Sequence, residues 1–221
     1  MCVQFDTLSA SEPVQYSAPD FDQGDGLMVY VFSHAQRHQY ADAYNKMMQA
    51  RAMQAEGWDS ATSPFLARPQ EDTFDREHNP LYIVSLNEQG EHSASMRVLP
   101  TTGPTMLRCD FQARFKPCPD IASSHVWECS CLCGIGDSIS PAGRASTIDA
   151  SKTLCRTALE NGVQQIIGIY GKNMGRLFRR IGWEPSTLAQ TSEEDGELCL
   201  GLWDVSPLAL RHMAERQAMP F

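Results

Sequence analysis

The stretch that decides the fold reads Met96-Arg97-Val98-Leu99-Pro100-Thr101-Thr102-Gly103-Pro104, and it is answered by Val126-Trp127-Glu128-Cys129-Ser130-Cys131-Leu132-Cys133. The first part is an apolar strand that stops at Pro100 and a Gly-Pro turn, because Pro cannot donate to a ladder and Gly permits the turn. The second is another apolar run of strand length, Val126 to Cys133, with a Glu and a Ser inside it. Before them, Leu81 to Leu86 and Ser93 to Leu99 are joined by Asn87-Glu88-Gln89-Gly90, a hairpin signal.

Outward from this centre, Leu27 to Phe32 is a Val- and Tyr-rich first strand. From Ala35 to about Glu56 the period becomes helical. Tyr40, Tyr44, Met47, Met48, Arg51 and Ala55 share one face, and Gly57 ends the run. Ser60, Ser63, Pro64 and Pro69 mark residues 59 to 70 as a long loop of the kind that forms lids. Ser146-Thr147-Ile148-Asp149 has capping-box spacing and predicts a helix from there to Glu160, closed by Asn161-Gly162. Val163 to Tyr170 predicts a buried strand, Asn173 to Ile181 a short helix, Leu198 to Val205 a last strand, and Pro207 to Gln217 a final helix. This order predicts an α/β fold with a mixed sheet.

At 221 residues one core is expected, and 42% hydrophobic with 20% charged residues is ordinary for a globular chain. A net charge of −9 argues against non-specific binding to nucleic acid or anionic membrane. No apolar run reaches the roughly 20 residues of a membrane span. Residues 1–26 carry Asp6, Glu12, Asp20, Asp22 and Asp25 with no Lys or Arg, which predicts a mobile acidic extension rather than an export signal. The expected location is therefore cytoplasmic, with reduced cysteines. Cys109, Cys118, Cys155 and Cys199 read as core fillers. Cys129, Cys131 and Cys133 alternate, which predicts that they share one strand face; no second ligand pair has metal spacing, so no metal is expected.

The frame Arg-x-Leu-x-Thr-Thr-Gly-Pro-x-Met-Leu at residues 97–107, followed by Trp127-Glu128-x-Ser130, resembles the acyl-homoserine-lactone synthases, the LuxI-type autoinducer synthases. Trp58 and Glu71-Asp72-Thr73-Phe74-Asp75 precede it in that family's order. The resemblance implies a three-layer sandwich like the Gcn5-related N-acyltransferases: a mixed, splayed sheet flanked by helices, its V-shaped opening holding the acyl donor. Residues 27–221 would form that single domain.

It also implies roles. Read alone, Asp72 and Asp75 fit a solvated acidic loop before Pro80, although two carboxylates three apart can also face one cation or cap an element. By resemblance they organise the S-adenosylmethionine side, with Trp58 covering the nucleotide. Arg97 belongs to the ion-pair network of that site, and Glu128 is the candidate base for the attacking amine, a task that burial would favour by raising its pKa. S-adenosylmethionine is then a substrate, and no cofactor is expected. The acyl donor is acyl-carrier protein or acyl-CoA, with Tyr170 and Met106 at the acyl pocket. Lys172, Arg176, Arg179 and Arg180 form a cationic cluster that reads either as a solvated face or, at Arg176 and Arg180, as a dock for acidic carrier protein.

The chain departs from the family pattern at three places. Met48, Ala52 and Cys131 stand where Arg, Phe and Arg are usual. Arg51 or Arg68 could replace the lost charge. A cleft with fewer arginines is expected to hold protons on its carboxylates more tightly. Two alternatives follow: an N-acyltransferase with another amine acceptor, or a non-catalytic homologue that binds acyl-carrier protein.

Overall fold

The computed structural model describes residues 28–57, 71–134, 141–192 and 197–219. The acidic extension, Trp58, Arg68 and the long loop of residues 59–70 lie outside the described residues. Seven strands form one sheet: β1 (Met28–Ser33), β2 (Leu81–Leu86), β3 (His92–Pro100), β4 (Val126–Cys133), β5 (Gln165–Gly171), β6 (Ser186–Gln190) and β7 (Leu198–Asp204). Their order is β1-β2-β3-β4-β5-β7-β6, antiparallel except for the parallel β4–β5 pair.

Period two divides the core between the two faces of the sheet. Strand β2 is buried throughout, so it reads as one continuous apolar run. Its Tyr82, Val84 and Leu86 pack with Phe32, Ala43, Met47 and Met48 under helix α1 (Ala41–Gly57). Its Leu81 and Ile83 face the other way, toward Ile148, Leu154 and Ala158 of helix α3 (Pro141–Glu160). Each large apolar side chain so buried contributes about 1.5–3 kcal/mol. The helical face predicted for residues 40–51 is the one α1 buries, although a 3₁₀ turn (His34–Gln36) precedes it. Helix α5 (Pro207–Ala218) packs against α3, its Ser206 hydroxyl accepting from the Ala209 N–H and Pro207 occupying the first turn. Among the described residues, no helix is long and apolar enough to cross a membrane.

Helix α3 begins at Pro141, so the capping box expected at Ser146 is not its start. Ser146 and Thr147 are buried inside the helix, and the Thr147 hydroxyl bonds back to the Gly143 carbonyl at 2.9 Å. Pro sets the first-turn φ and lacks the N–H that would be orphaned there. Three elements escaped the sequence reading: the short helix α2 (Thr73–His78), a π-helical turn (Leu107–Phe111) and the edge strand β6. Strand β6 is mostly exposed, so no apolar alternation marks it.

Two features of β4 open the sheet. Its pairing with β5 ends at Cys129↔Gly168, yet both strands continue, so they part beyond that point. Its pairing with β3 slips: Arg97 opposes Ser130, but Ser95 opposes Cys133. This β-bulge, with Cys131 at φ 52°, gives Ser130 and Cys131 the same side. Cys129 therefore packs against the α3-side core while Cys131 packs on the opposite face with Leu99 and Phe111. The expectation that the three cysteines share a face is overturned, because one inserted residue resets the alternation.

Gly134 closes the bulged strand at φ 82°, where a Cβ would sit 2.1 Å from the Ser93 carbonyl oxygen. Both the dihedral and the backbone contact exclude a side chain. Gly134→Ala is expected to cost roughly 2 kcal/mol or more, visible as a lower denaturation midpoint.

Candidate active site

Asp72 is the N-cap of α2, and the two aspartates cap each other. The Asp75 N–H donates to Asp72 Oδ1 at 3.1 Å and the Asp72 N–H donates to Asp75 Oδ2 at 3.0 Å. The Glu-Asp-x-x-Asp spacing thus makes a capping box with a second Asp in place of the usual Glu. Both side chains then turn to arginines. Arg97 Nη1 lies 2.6 Å from Asp72 Oδ1 and 3.1 Å from Asp75 Oδ1, and Arg51 Nη1 reaches both Asp75 oxygens at 3.2 and 3.1 Å. Arg97 and Asp75 are 0% exposed, which makes the network a buried one rather than a solvated acidic loop.

Aromatic rings complete the enclosure. The Arg97 guanidinium lies 5.2 Å over Phe74 and that of Arg51 5.5 Å over Tyr82. The Tyr82 hydroxyl donates to Asp75 Oδ1 at 2.9 Å, and His34 Nδ1 sits 3.0 Å from that hydroxyl. His34 Nε2 is 3.6 Å from Glu71, which also accepts from the Tyr44 hydroxyl at 2.9 Å. Burial alone would raise the Asp75 pKa, but Arg51, Arg97, the Asp72 N–H and Tyr82 together hold it well below the ordinary carboxylate range. Burial and the Asp75 charge push the Tyr82 phenol up. Proton retention by the carboxylates, expected from the missing arginines, is therefore wrong for Asp75. Arg51, one helical turn from Met48, supplies the second guanidinium on Asp75.

Glu128 behaves differently. It is 2% exposed, and both oxygens are engaged at the start of the π-helical turn: Met106 N–H donates to Oε1 at 2.9 Å and Leu107 N–H to Oε2 at 2.7 Å. Burial raises its pKa, against the opposing pull of those N–H groups and of Arg97. Arg97 and Glu128 lie on the same face of neighbouring strands, as the Arg97↔Ser130 and Leu99↔Glu128 register requires. Arg97 Nε also donates to Ser130 Oγ at 3.2 Å, and its Nη2 meets Met106 Sδ at 2.9 Å.

A cavity of about 950 Å³ runs through the fork between β4 and β5. Arg51, Asp72, Met106, Glu128, Ser130 and Cys131 line its charged end. Met96, Leu154, Ile166, Tyr170, Leu177, Phe178, Trp183 and Trp203 line an apolar end. Arg176 and Arg180, both exposed on helix α4 (Gly175–Ile181), also border it. Of the residues singled out in the sequence and described here, Arg97 and Asp75 do not line the cavity. They stand behind its wall and fix Asp72, Ser130 and Arg51. Met106 lies at the charged end, against Arg97, rather than among the apolar side chains. The apolar wall is held by ring contacts: Phe178–Trp203 centroids are 4.9 Å apart and Tyr170–Phe178 5.1 Å, both edge to face.

Sequence reading missed Tyr82, His34 and Ser130 as members of the network. A Tyr in the buried β2 run was a usable signal, because its hydroxyl must find a partner.

Comparison with known proteins agrees with this geometry. The profile of the autoinducer synthase family matches residues 27–207. An acyl-homoserine-lactone synthase of Rhizobium etli is 36% identical over 170 residues, covering 74% of this chain and 78% of that one. In fold the chain is similar to the acyl-homoserine-lactone synthase LasI (TM-score 0.65, 21% identity, 83% of this chain and 94% of that one). It is also similar to BjaI, a CoA-dependent synthase solved with SAM and isopentyl-CoA (TM-score 0.68, 21% identity, 88% and 91% covered). A splayed mixed sheet, the paired aspartates on two buried arginines, and a profile match across most of its length lead to one conclusion: this chain belongs to the autoinducer synthase family.

Proposed function

We propose that the chain transfers an acyl group from a thioester to the amine of S-adenosylmethionine and releases an acyl-homoserine lactone. The observation that carries this reading is the cavity itself, charged at one end, ring-walled at the other, and open where β4 and β5 part. A sulfonium amino acid suits the end with Arg51, Asp72 and Glu128, since a guanidinium can take its carboxylate while carboxylates face its cationic parts. An acyl chain suits the apolar end. The related BjaI has been solved with SAM and isopentyl-CoA and with MTA, which supports S-adenosylmethionine and an acyl thioester as the substrates here.

In this reading the ammonium of S-adenosylmethionine first loses a proton, because only the free amine has a lone pair. Glu128 takes it through a water, using lone pairs not occupied by Met106 and Leu107. The amine attacks the thioester carbon, the tetrahedral oxyanion is stabilised by N–H groups on the splayed strand, and the thiolate leaves and is protonated. The methionyl carboxylate then attacks its own γ-carbon, closing the lactone and expelling methylthioadenosine. Arg97 keeps Asp72 and Ser130 in place throughout. These substrates are cytoplasmic metabolites, so the reaction belongs in the cytoplasm.

The test is incubation with S-adenosylmethionine and a panel of acyl thioesters. Methylthioadenosine together with free thiol supports the synthase. Thiol alone points to another amine acceptor, and neither product with binding retained points to a non-catalytic homologue.

The donor is proposed to be acyl-carrier protein, on the strength of Arg176 and Arg180 at the cavity rim in a chain of charge −9. Reversing both charges (Arg176→Glu with Arg180→Glu) is expected to lower kcat/KM for acyl-carrier protein by about tenfold or more at low salt, through slower encounter. Raising the ionic strength should shrink that difference. An equal loss with a short N-acetylcysteamine thioester would remove the docking role.

A further inference from the structure

We infer that Arg108 is a positioning residue for the reaction: its guanidinium clasps the backbone around the π-helical turn and so holds Glu128 in the geometry that takes the proton. The inference rests on the acyltransferase reading above and adds to it a residue outside the cavity.

The turn Leu107–Phe111 lies in irregular chain between β3 and β4. A π-helical winding is rare, and a single turn of it must be held by contacts from outside. Leu107 and Phe111 are buried in the apolar cluster with Leu99 and Ile167. Apolar burial is non-directional, so it presses the turn onto the sheet without aiming its N–H groups. Yet the Met106 and Leu107 N–H groups are aimed closely, one at each oxygen of Glu128. Directed bonds must supply that aim.

Arg108, inside the turn, makes them. Its Nη1 donates to the carbonyls of Thr101 and Gly103 at 3.1 and 2.8 Å. Its Nη2 donates to the Ile121 carbonyl at 3.0 Å, and Nε and Nη2 both reach Asp120 Oδ1 at 3.2 Å. One planar group thus joins the exit of β3, the turn itself and the segment that leads into β4. The exit of β3 is tied to β4 in its turn. The Thr101 N–H and hydroxyl both donate to the Val126 carbonyl, at 3.1 and 2.8 Å, two residues before Glu128. The clasp therefore fixes the turn against the strand that carries Glu128.

Arg108 does not line the cavity, so its influence on the reaction passes through Glu128. The two N–H groups favour the ionised carboxylate, against burial. Loosening the clasp weakens both bonds. Glu128 then keeps its proton to higher pH, and its oxygens lose their fixed direction.

The experiment measures kcat and KM against pH, following methylthioadenosine and free thiol, for the wild type, Arg108→Met and Arg108→Lys. Arg108→Met keeps the apolar stem and removes every donor. Its kcat is expected to fall by about tenfold, with a smaller change in KM for S-adenosylmethionine. The acidic limb of its kcat profile should move up by about one pH unit. Partial unfolding alone would lower the rate without moving the limb. Arg108→Lys keeps the charge but cannot bridge three segments, so its limb should lie between the other two. This variant also decides the matter if Arg108→Met does not fold. An unmoved limb in Arg108→Met, or Arg108→Lys equal to wild type in both kcat and limb, overturns the clasp while the synthase reading stands. Wild-type protein that yields no methylthioadenosine with any thioester overturns the synthase reading and this inference with it.

Discussion

Asp75→Asn is expected to lower the unfolding free energy by about 3–5 kcal/mol, the cost of removing one partner from a buried ion pair. The asparagine keeps the shape but not the charge, so Arg51, 6% exposed and with its Nε already unpartnered, is left uncompensated. Arg97 still has Asp72, which is why the loss centres on Arg51 and α1. The measurement is the shift in urea midpoint at constant slope. Replacing both partners (Asp75→Leu with Arg51→Met) should lose less than Asp75→Asn alone, because no buried charge is stranded. A double variant as unstable as the two single ones added together would show that the pair does not act as a unit.

The pH dependence has a definite sign. The folded-state pKa of Asp75 is depressed, so its stabilisation is present above the ordinary carboxylate value of 3.8 and is lost as pH falls toward the folded value. The gap between wild type and Asp75→Asn should therefore be constant near neutrality and close in acid below about pH 4.

Glu128→Gln carries the largest expected effect on activity, a fall in kcat of about 10²–10⁴-fold for a lost general base. The amide also presents a donor to either the Met106 or the Leu107 N–H, which costs about 1–3 kcal/mol for the acceptor it removes. Structural and chemical losses are separable by pH. Burial raises the Glu128 pKa, so the acidic limb of the kcat profile should lie above 4.5 in the wild type, with activity rising as pH rises through it. That limb should vanish in Glu128→Gln. A variant that keeps most of its activity, with the limb intact, would leave Glu128 as an anchor for the π-helical turn and nothing more.

The fold was legible where apolar period matched burial. Residues 81–99 gave a hairpin whose buried faces follow from alternation alone, and residues 40–51 gave the buried face of α1. The reading failed where geometry departs from regular period. The bulge at Ser130 and Cys131 adds one residue, and no residue type in Cys129-Ser130-Cys131-Leu132-Cys133 announces it. Strand β6 hides because an exposed edge strand needs no apolar pattern. At the site, Asp72, Asp75, Arg97 and Glu128 were singled out by the family resemblance, since the two aspartates read alone fit a solvated acidic loop. Arg51 or Arg68 could supply a displaced charge by the sequence reading; the structure shows the Arg51 guanidinium paired with Asp75. His34 was not found, because its contact with Tyr82 spans 48 residues of sequence and leaves no local mark.

The phenol bridging Asp75 and His34 has one hydrogen, and a carboxylate can only receive it. With that proton spent on Asp75, the imidazole must lend its own from Nδ1, which fixes the ring as a single tautomer. Its far nitrogen then turns a bare lone pair toward the oxygens of Glu71, 3.6 Å away. Acid that fills this lone pair converts a repulsive edge into an attractive one, while the same acid eventually strips Asp75 of its charge. Nitrogen chemical shifts of this one ring would thus report, from outside the cleft, on the ionic state of the carboxylates within it.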